Sequence, residues 1–156
     1  MWVFFTKLFK KRYSKQELKL YTQQAQGYLR IYNDSQKLFQ TTKNPDVFFM
    51  RYDLAISNLE KLHALILKTD NAIKYKGDSI TDMIHKLKLN RENQTTLFIE
   101  RYFDSSKAKV LKLKTAKGME NNAKKSREEI MNYSSHLTEK QIERIDILWK
   151  TIKNRF

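Results

Sequence analysis

The residue pairs best able to do chemistry in this sequence are Glu60 with His63 and Asp82 with His85. Each sets a carboxylate and an imidazole three positions apart, the spacing by which di-metal helical bundles hold their ions. Such a site needs both side chains on the inward face. At about 100° per residue His63 falls ~40° from the direction of Leu59, whereas Glu60 falls ~100° away. Asp82 falls ~160° from Ile84. Neither pair points inward together, so no metal site is expected, and His136 has no second ligand at useful spacing. Carboxylate pairs for acid–base work are no better placed. Glu128 and Glu129 diverge on a helix, and Glu100 with Asp104 sits among Arg101, Lys107 and Lys109. A solvated charged face accounts for both. The chain has no Cys, no Ser in a Gly-x-Ser-x-Gly turn, and isolated glycines at Gly27, Gly77 and Gly118. Thiol chemistry, a nucleophile elbow and a phosphate-cradling loop are thereby excluded. No catalytic residue, cofactor or metal is assigned, and the chain is expected not to be an enzyme.

What remains for function is contact. Lys and Arg total 31 against 17 Asp and Glu, a net charge of +14 over 156 residues. The excess is uneven. Residues 1–20 carry six basic and one acidic residue, and residues 71–118 carry eleven and five. A basic surplus of this kind favours nucleic acid, anionic lipid or an acidic protein face. The first segment carries Trp2, Phe4, Phe5 and Phe9 with Lys7, Lys10, Lys11 and Arg12, followed by Lys15. The apolar run is far short of the ~20 residues that span a bilayer. Its charges follow rather than precede the apolar residues, unlike a secretory signal. Aromatic rings favour the headgroup zone and cations its phosphates, so this segment reads as an in-plane membrane contact. The competing reading packs the same aromatics on the protein's own helices or on a second copy, giving a homo-oligomer. The second basic group is Lys107, Lys109, Lys112, Lys114, Lys117, Lys124, Lys125 and Arg127, an alternative polyanion contact. Lys outnumbers Arg 23 to 8, which suits phosphate contact better than base readout.

The elements that position these residues are helical. Ser14 with Glu17 forms a capping box, and Leu18, Tyr21, Ala25, Tyr28, Tyr32, Ser35 and Phe39 recur at helical spacing, giving a first helix over about 14–41. Asn44-Pro45-Asp46 supplies an N-cap, a first-turn proline and an acid for the dipole. The stripe Phe48, Tyr52, Ala55, Leu59, Leu62 and Ile66 extends a second helix over about 45–69, antiparallel to the first. Residues 70–78 break the period. Ser79 with Asp82 opens a long third helix whose stripe runs from Ile80 through Phe98, Tyr102 and Phe103 and is closed by Gly118. As one piece, 79–117 would be ~58 Å long, so a break or bend is expected near 88–95. A fourth helix is placed over about 119–135. Thr138 with Gln141 caps a fifth, with Ile142, Ile145, Leu148, Trp149, Ile152 and Phe156 on one side. The fold class is all-α: about five helices in a bundle, with 1–13 as an aromatic, basic extension and 14–156 as a single helical domain.

Two stretches carry a resemblance. Thr42-Lys43-Asn44-Pro45-Asp46-Val47-Phe48-Phe49-Met50-Arg51-Tyr52-Asp53-Leu54 is similar to a TKNPDxFFxRYDL signature. Phe98-Ile99-Glu100-Arg101 with Leu113-Lys114-Thr115-Ala116-Lys117-Gly118 is similar to an FIxR…LKTxKG signature. Together they resemble small, uncharacterised helical proteins of low-GC Gram-positive bacteria and their phages and mobile elements. The resemblance implies an intracellular, non-enzymatic, all-helical accessory protein and brings no catalytic residues. The combined expectation is a cytoplasmic interaction module at the inner membrane face, whose partner is an anionic membrane surface or a protein. The alternative is a nucleic-acid-associated factor using residues 107–127.

Overall fold

The computed structural model describes residues 13–154. Among them are five α-helices: α1 Lys15–Thr41, α2 Pro45–Lys68, α3 Ile80–Val110, α4 Ala116–Met131 and α5 Glu139–Lys153. A 3-10 turn, Ser134–His136, precedes α5, and no strand occurs among the described residues. The chain is all-α, as its periodicity requires. The expected contacts Trp2, Phe4, Phe5, Lys7, Phe9, Lys10, Lys11 and Arg12 lie outside the described residues, as does Phe156 of the last stripe.

The helix starts follow local chemistry. At α1 the Ser14 amide donates to Glu17 Oε2 (2.8 Å) and the Glu17 amide to Ser14 Oγ (3.1 Å), a reciprocal box. Asn44 Oδ1 accepts from the Val47 amide at α2 (3.4 Å). The Ser79 hydroxyl accepts from the Asp82 amide at α3 (3.4 Å). Thr138 and Gln141 complete a second reciprocal box at α5. α2 ends in left-handed backbone at Asp70 (φ 54°) and Asn71 (φ 59°), residue types that tolerate that region.

Two expectations are corrected. The third helix does not break near 88–95: α3 is helical throughout Ile80–Val110. Residues 88–95 contain neither Gly nor Pro, so nothing local stops the helix there, and length alone does not require a break. The break falls instead at 111–115. There the Lys112 amide turns back to the Lys109 carbonyl and the Leu113 amide to that of Val110. Gly118 does not close a helix either. It lies in the first turn of α4, and its amide donates to Thr115 Oγ1 (3.2 Å), so Thr115 is an N-cap.

The described chain falls into two compact units. The first comprises 13–37 and 52–88. Tyr13 Oη donates to the Lys68 carbonyl (2.8 Å) and the Lys68 ammonium lies over the Tyr21 ring (5.6 Å). The start of α1 therefore meets the end of α2, and the pair is antiparallel. Its core holds Tyr32, Tyr52, Ala55, Leu59, Leu62, Ile73 and Ile80. Tyr52 Oη donates to the Leu87 carbonyl of α3.

The second unit comprises 38–51 and 89–154. Aromatic packing joins its elements. Phe48 stacks on Phe98 at 4.4 Å and meets Phe39 edge-on, while Phe49 stacks on Tyr133 at 4.6 Å. Phe98, Ile99, Phe103, Val110, Ala123, Ile130, Ile145 and Ile152 fill the remaining core. The side chain of Gln141, 4% exposed, donates to the Glu92 carbonyl (3.0 Å) and Thr96 Oγ1 (3.1 Å), joining α5 to α3. The boundary between the units falls at 88/89 of α3.

Candidate functional site

The second unit gathers most of the lysines that the sequence singled out. Lys107 and Lys109 lie in the last turn of α3, Lys112 and Lys114 in the connecting turn, and Lys117 in the first turn of α4. Among the described residues none of these five has a carboxylate at ion-pair distance. Lys107 and Lys109 suit the negative end of the α3 dipole. Lys114 and Lys117 oppose the positive end of α4, whose first turn carries no acid. Local helix stability therefore does not account for Lys114 and Lys117. Leu111, within this run of lysines, is 57% exposed.

Further along α4 the cations are engaged. Lys124 pairs with Glu128 and Lys125 with Glu129, each at 3.8 Å. Arg127 Nε donates to Asp146 of α5 (2.8 Å), and its guanidinium covers the Trp149 ring at 5.5 Å. Arg127 thus serves to pack α4 on α5. Lys15, the described member of the N-terminal set, is exposed at the first position of α1.

A polar cleft of about 320 Å³ adjoins the lysine turn. Lys43, Asn44, Pro45 and Asp46 line it from the start of α2, Tyr102 and Lys109 from α3, and Glu129 from α4. A recess of about 110 Å³ shares Lys43, Tyr102, Lys109 and Glu129 and adds Ser105, Asn122 and Lys125. Tyr102 lines both spaces. The buried phenol lies 2.7 Å from Glu129 Oε2 and 3.1 Å from the Ser126 carbonyl, its one proton shared between them. Burial, and then Glu129, push that phenol well above the usual tyrosine range. Ser106 and Ser126 hydroxyls meet beside it at 2.5 Å.

No family model, curated protein or solved structure matches the chain. The reading of this face rests on its own chemistry.

The histidines are dispersed. Glu60 pairs with Lys88 (2.7 Å) and His63 Nε2 lies 3.4 Å from Thr81 Oγ1, so the two members of that pair turn to different neighbours. His85 is exposed. His136 stacks on Phe49 at 5.3 Å and its Nδ1 lies 3.5 Å from Arg91. Among the described residues no three His, Asp or Glu side chains are grouped to hold a metal. Of the carboxylate pairs, Glu100 accepts from Arg144 Nε at 2.6 Å and Asp104 is exposed.

Sequence reasoning missed Lys43 and Tyr102 as site residues. Tyr102 belongs to the third helix's apolar stripe and reads as core. Lys43 sits alone beside a helix cap. Only its motif setting, immediately before Asn44-Pro45, marks it out. No described helix is long and apolar enough to cross a membrane.

Proposed function

We propose that the chain is a non-enzymatic helical interaction module that docks on an anionic membrane surface, on its cytoplasmic side. The observation that carries this is the α3–α4 turn: exposed Leu111, flanked along the chain by Lys107, Lys109, Lys112, Lys114 and Lys117, none ion-paired among the described residues. An exposed leucine gains from the acyl boundary and nothing from a sugar–phosphate backbone. Each lysine near an anionic leaflet adds about 1 kcal/mol. Five of them give about 5 kcal/mol, between millimolar and micromolar binding, so attachment is reversible. The aromatic and basic residues 2–12 with Lys15 supply a second contact of the same chemistry, and two weak contacts on one surface reinforce each other. The resemblance to phage and mobile-element proteins agrees with an accessory role.

The second reading is a nucleic-acid-associated factor. It is favoured by the convergence of Lys43, Lys109 and Lys125 on one face, which a phosphate backbone would also meet.

Cosedimentation decides between them. The full chain is expected to pellet with phosphatidylglycerol vesicles and not with phosphatidylcholine vesicles, and to release at high salt. Leu111→Gln with Lys112→Gln and Lys114→Gln weakens pelleting, as does removal of residues 1–12. The membrane reading is lost if both altered chains pellet like the full chain. It is also lost if the full chain ignores the vesicles yet retards duplex DNA at low salt.

A further inference from the structure

The geometry points to the Lys43–Lys109 cleft as a binding site for a phosphate monoester. The cleft, of about 320 Å³ and open to solvent, can admit a phosphate group together with part of its carrier.

Charge sets the ligand's sign. Lys43, Lys109 and Lys125 line the two connected spaces against Asp46 and Glu129. Glu129 is already engaged by the Tyr102 phenol and by Lys125. Asp46 lies in the first turn of α2, where the helix dipole favours an acid. Lys43 and Lys109 are left without a carboxylate among the described residues. Two ammonium groups against the single unpaired carboxylate of Asp46 leave the recess net positive, which favours an anion. Ammonium groups act as compact point charges with rotatable donors, so they suit a tetrahedral oxyanion without the planar fork an arginine site would show. Ser105, Asn122 and Asn132, all lining residues, add neutral donors. Tyr102 and Glu129 form a fixed wall: the phenol is 7% exposed and held at 2.7 Å from the carboxylate.

The site shares Lys109 with the α3–α4 turn but needs none of Lys107, Lys112, Lys114 or Lys117. A soluble phosphate ester and the terminal phosphate of a lipid such as phosphatidic acid present the same chemistry, and both reach an open cleft.

The test uses the full chain, labelled with ¹⁵N, titrated with inorganic phosphate at ionic strength held constant with chloride. The amides of Asp46, Asn122 and Asn132 are expected to shift along a saturating curve. Lys43→Gln with Lys109→Gln weakens that curve at least tenfold. Both lysines are exposed, so the fold should survive, and an unchanged amide spectrum without phosphate verifies it. Lys112→Gln with Lys114→Gln leaves the curve in place. A preference for phosphatidic acid over phosphatidylglycerol vesicles of matched charge, lost in the Lys43/Lys109 variant, assigns the monoester to a lipid. Equal binding to both with phosphate saturation intact assigns it to a soluble ester. Shifts that stay linear in phosphate, or a double variant that saturates like the original chain, overturn the site. Vesicle binding that persists alongside such a failure leaves membrane docking standing, and loss of vesicle binding with saturation intact removes docking alone.

Discussion

Arg101 of α3 donates from Nη2 to the carbonyl of Phe39, 62 positions earlier, at 3.2 Å. Phe39 lies in the last turn of α1, where carbonyls have no partner within the helix. That turn carries no basic residue of its own. α3 therefore supplies the cation that the end of α1 lacks. Burial lowers the guanidinium's affinity for its proton, and Nε is buried without a partner.

Arg101→Met is expected to destabilise the chain by about 1.5–3 kcal/mol, the range for a hydrogen bond to a charged group. The guanidinium's unpartnered Nε places the value toward the lower end. Arg101→Lys recovers part of the loss, since an ammonium can still donate once. Urea unfolding monitored by circular dichroism measures both, and a Met variant as stable as the original chain refutes the capping role.

Gln141 has two separable duties. Its Oε1 accepts from the Thr138 amide (2.9 Å), while its Nε2 donates to α3. Gln141→Glu keeps the acceptor, removes both donors and turns a buried carboxylate toward the Glu92 carbonyl. A loss of about 2–3 kcal/mol follows, the cost of unsatisfied buried polar groups. Thr138→Ala removes the cap alone and costs about 1 kcal/mol. Equal losses in the two variants would mean that the contact with α3 contributes nothing.

Position along α3 decides the cost of truncation. Phe98 is fully buried and stacked on Phe48, whereas its neighbour Leu97 is 53% exposed. Phe98→Ala is expected to cost about 3–5 kcal/mol, and Leu97→Ala to stay within about 0.5 kcal/mol. A comparison of denaturant midpoints tests the contrast. Similar losses at both positions would contradict the burial pattern.

Alkali should weaken the fold. Burial raises Tyr32, with Tyr75 and Asp78 adding to it, and burial with Glu129 raises Tyr102. Both phenols are held protonated in the native state. Their contribution is complete below the unfolded tyrosine value of about 10 and falls as pH rises beyond it, because the unfolded chain then binds fewer protons. Melting temperature is expected to decline from about pH 10 upward, and Tyr102→Phe to flatten the decline. A Phe variant with an unchanged slope would remove Tyr102 from this account.

The sequence by itself determined the helices and most of their starts. Ser14 with Glu17, Asn44 before Pro45, and Thr138 with Gln141 act within three residues, and 3.6-residue periodicity acts within a few turns, so both are legible along one dimension. The misplaced break in the third helix shows the limit of that reading. Length argued for a break without saying where it falls, and Thr115 is recognisable as a cap only once the chain turns at 111–115. Tertiary structure alone decided which side chains share a space. Lys43 meets Lys109 and Lys125 at one cleft, and Arg101 meets Phe39, because packing of aromatic faces brings together residues tens of positions apart. Periodicity says that a helix has an apolar face; it does not say which other face will cover it.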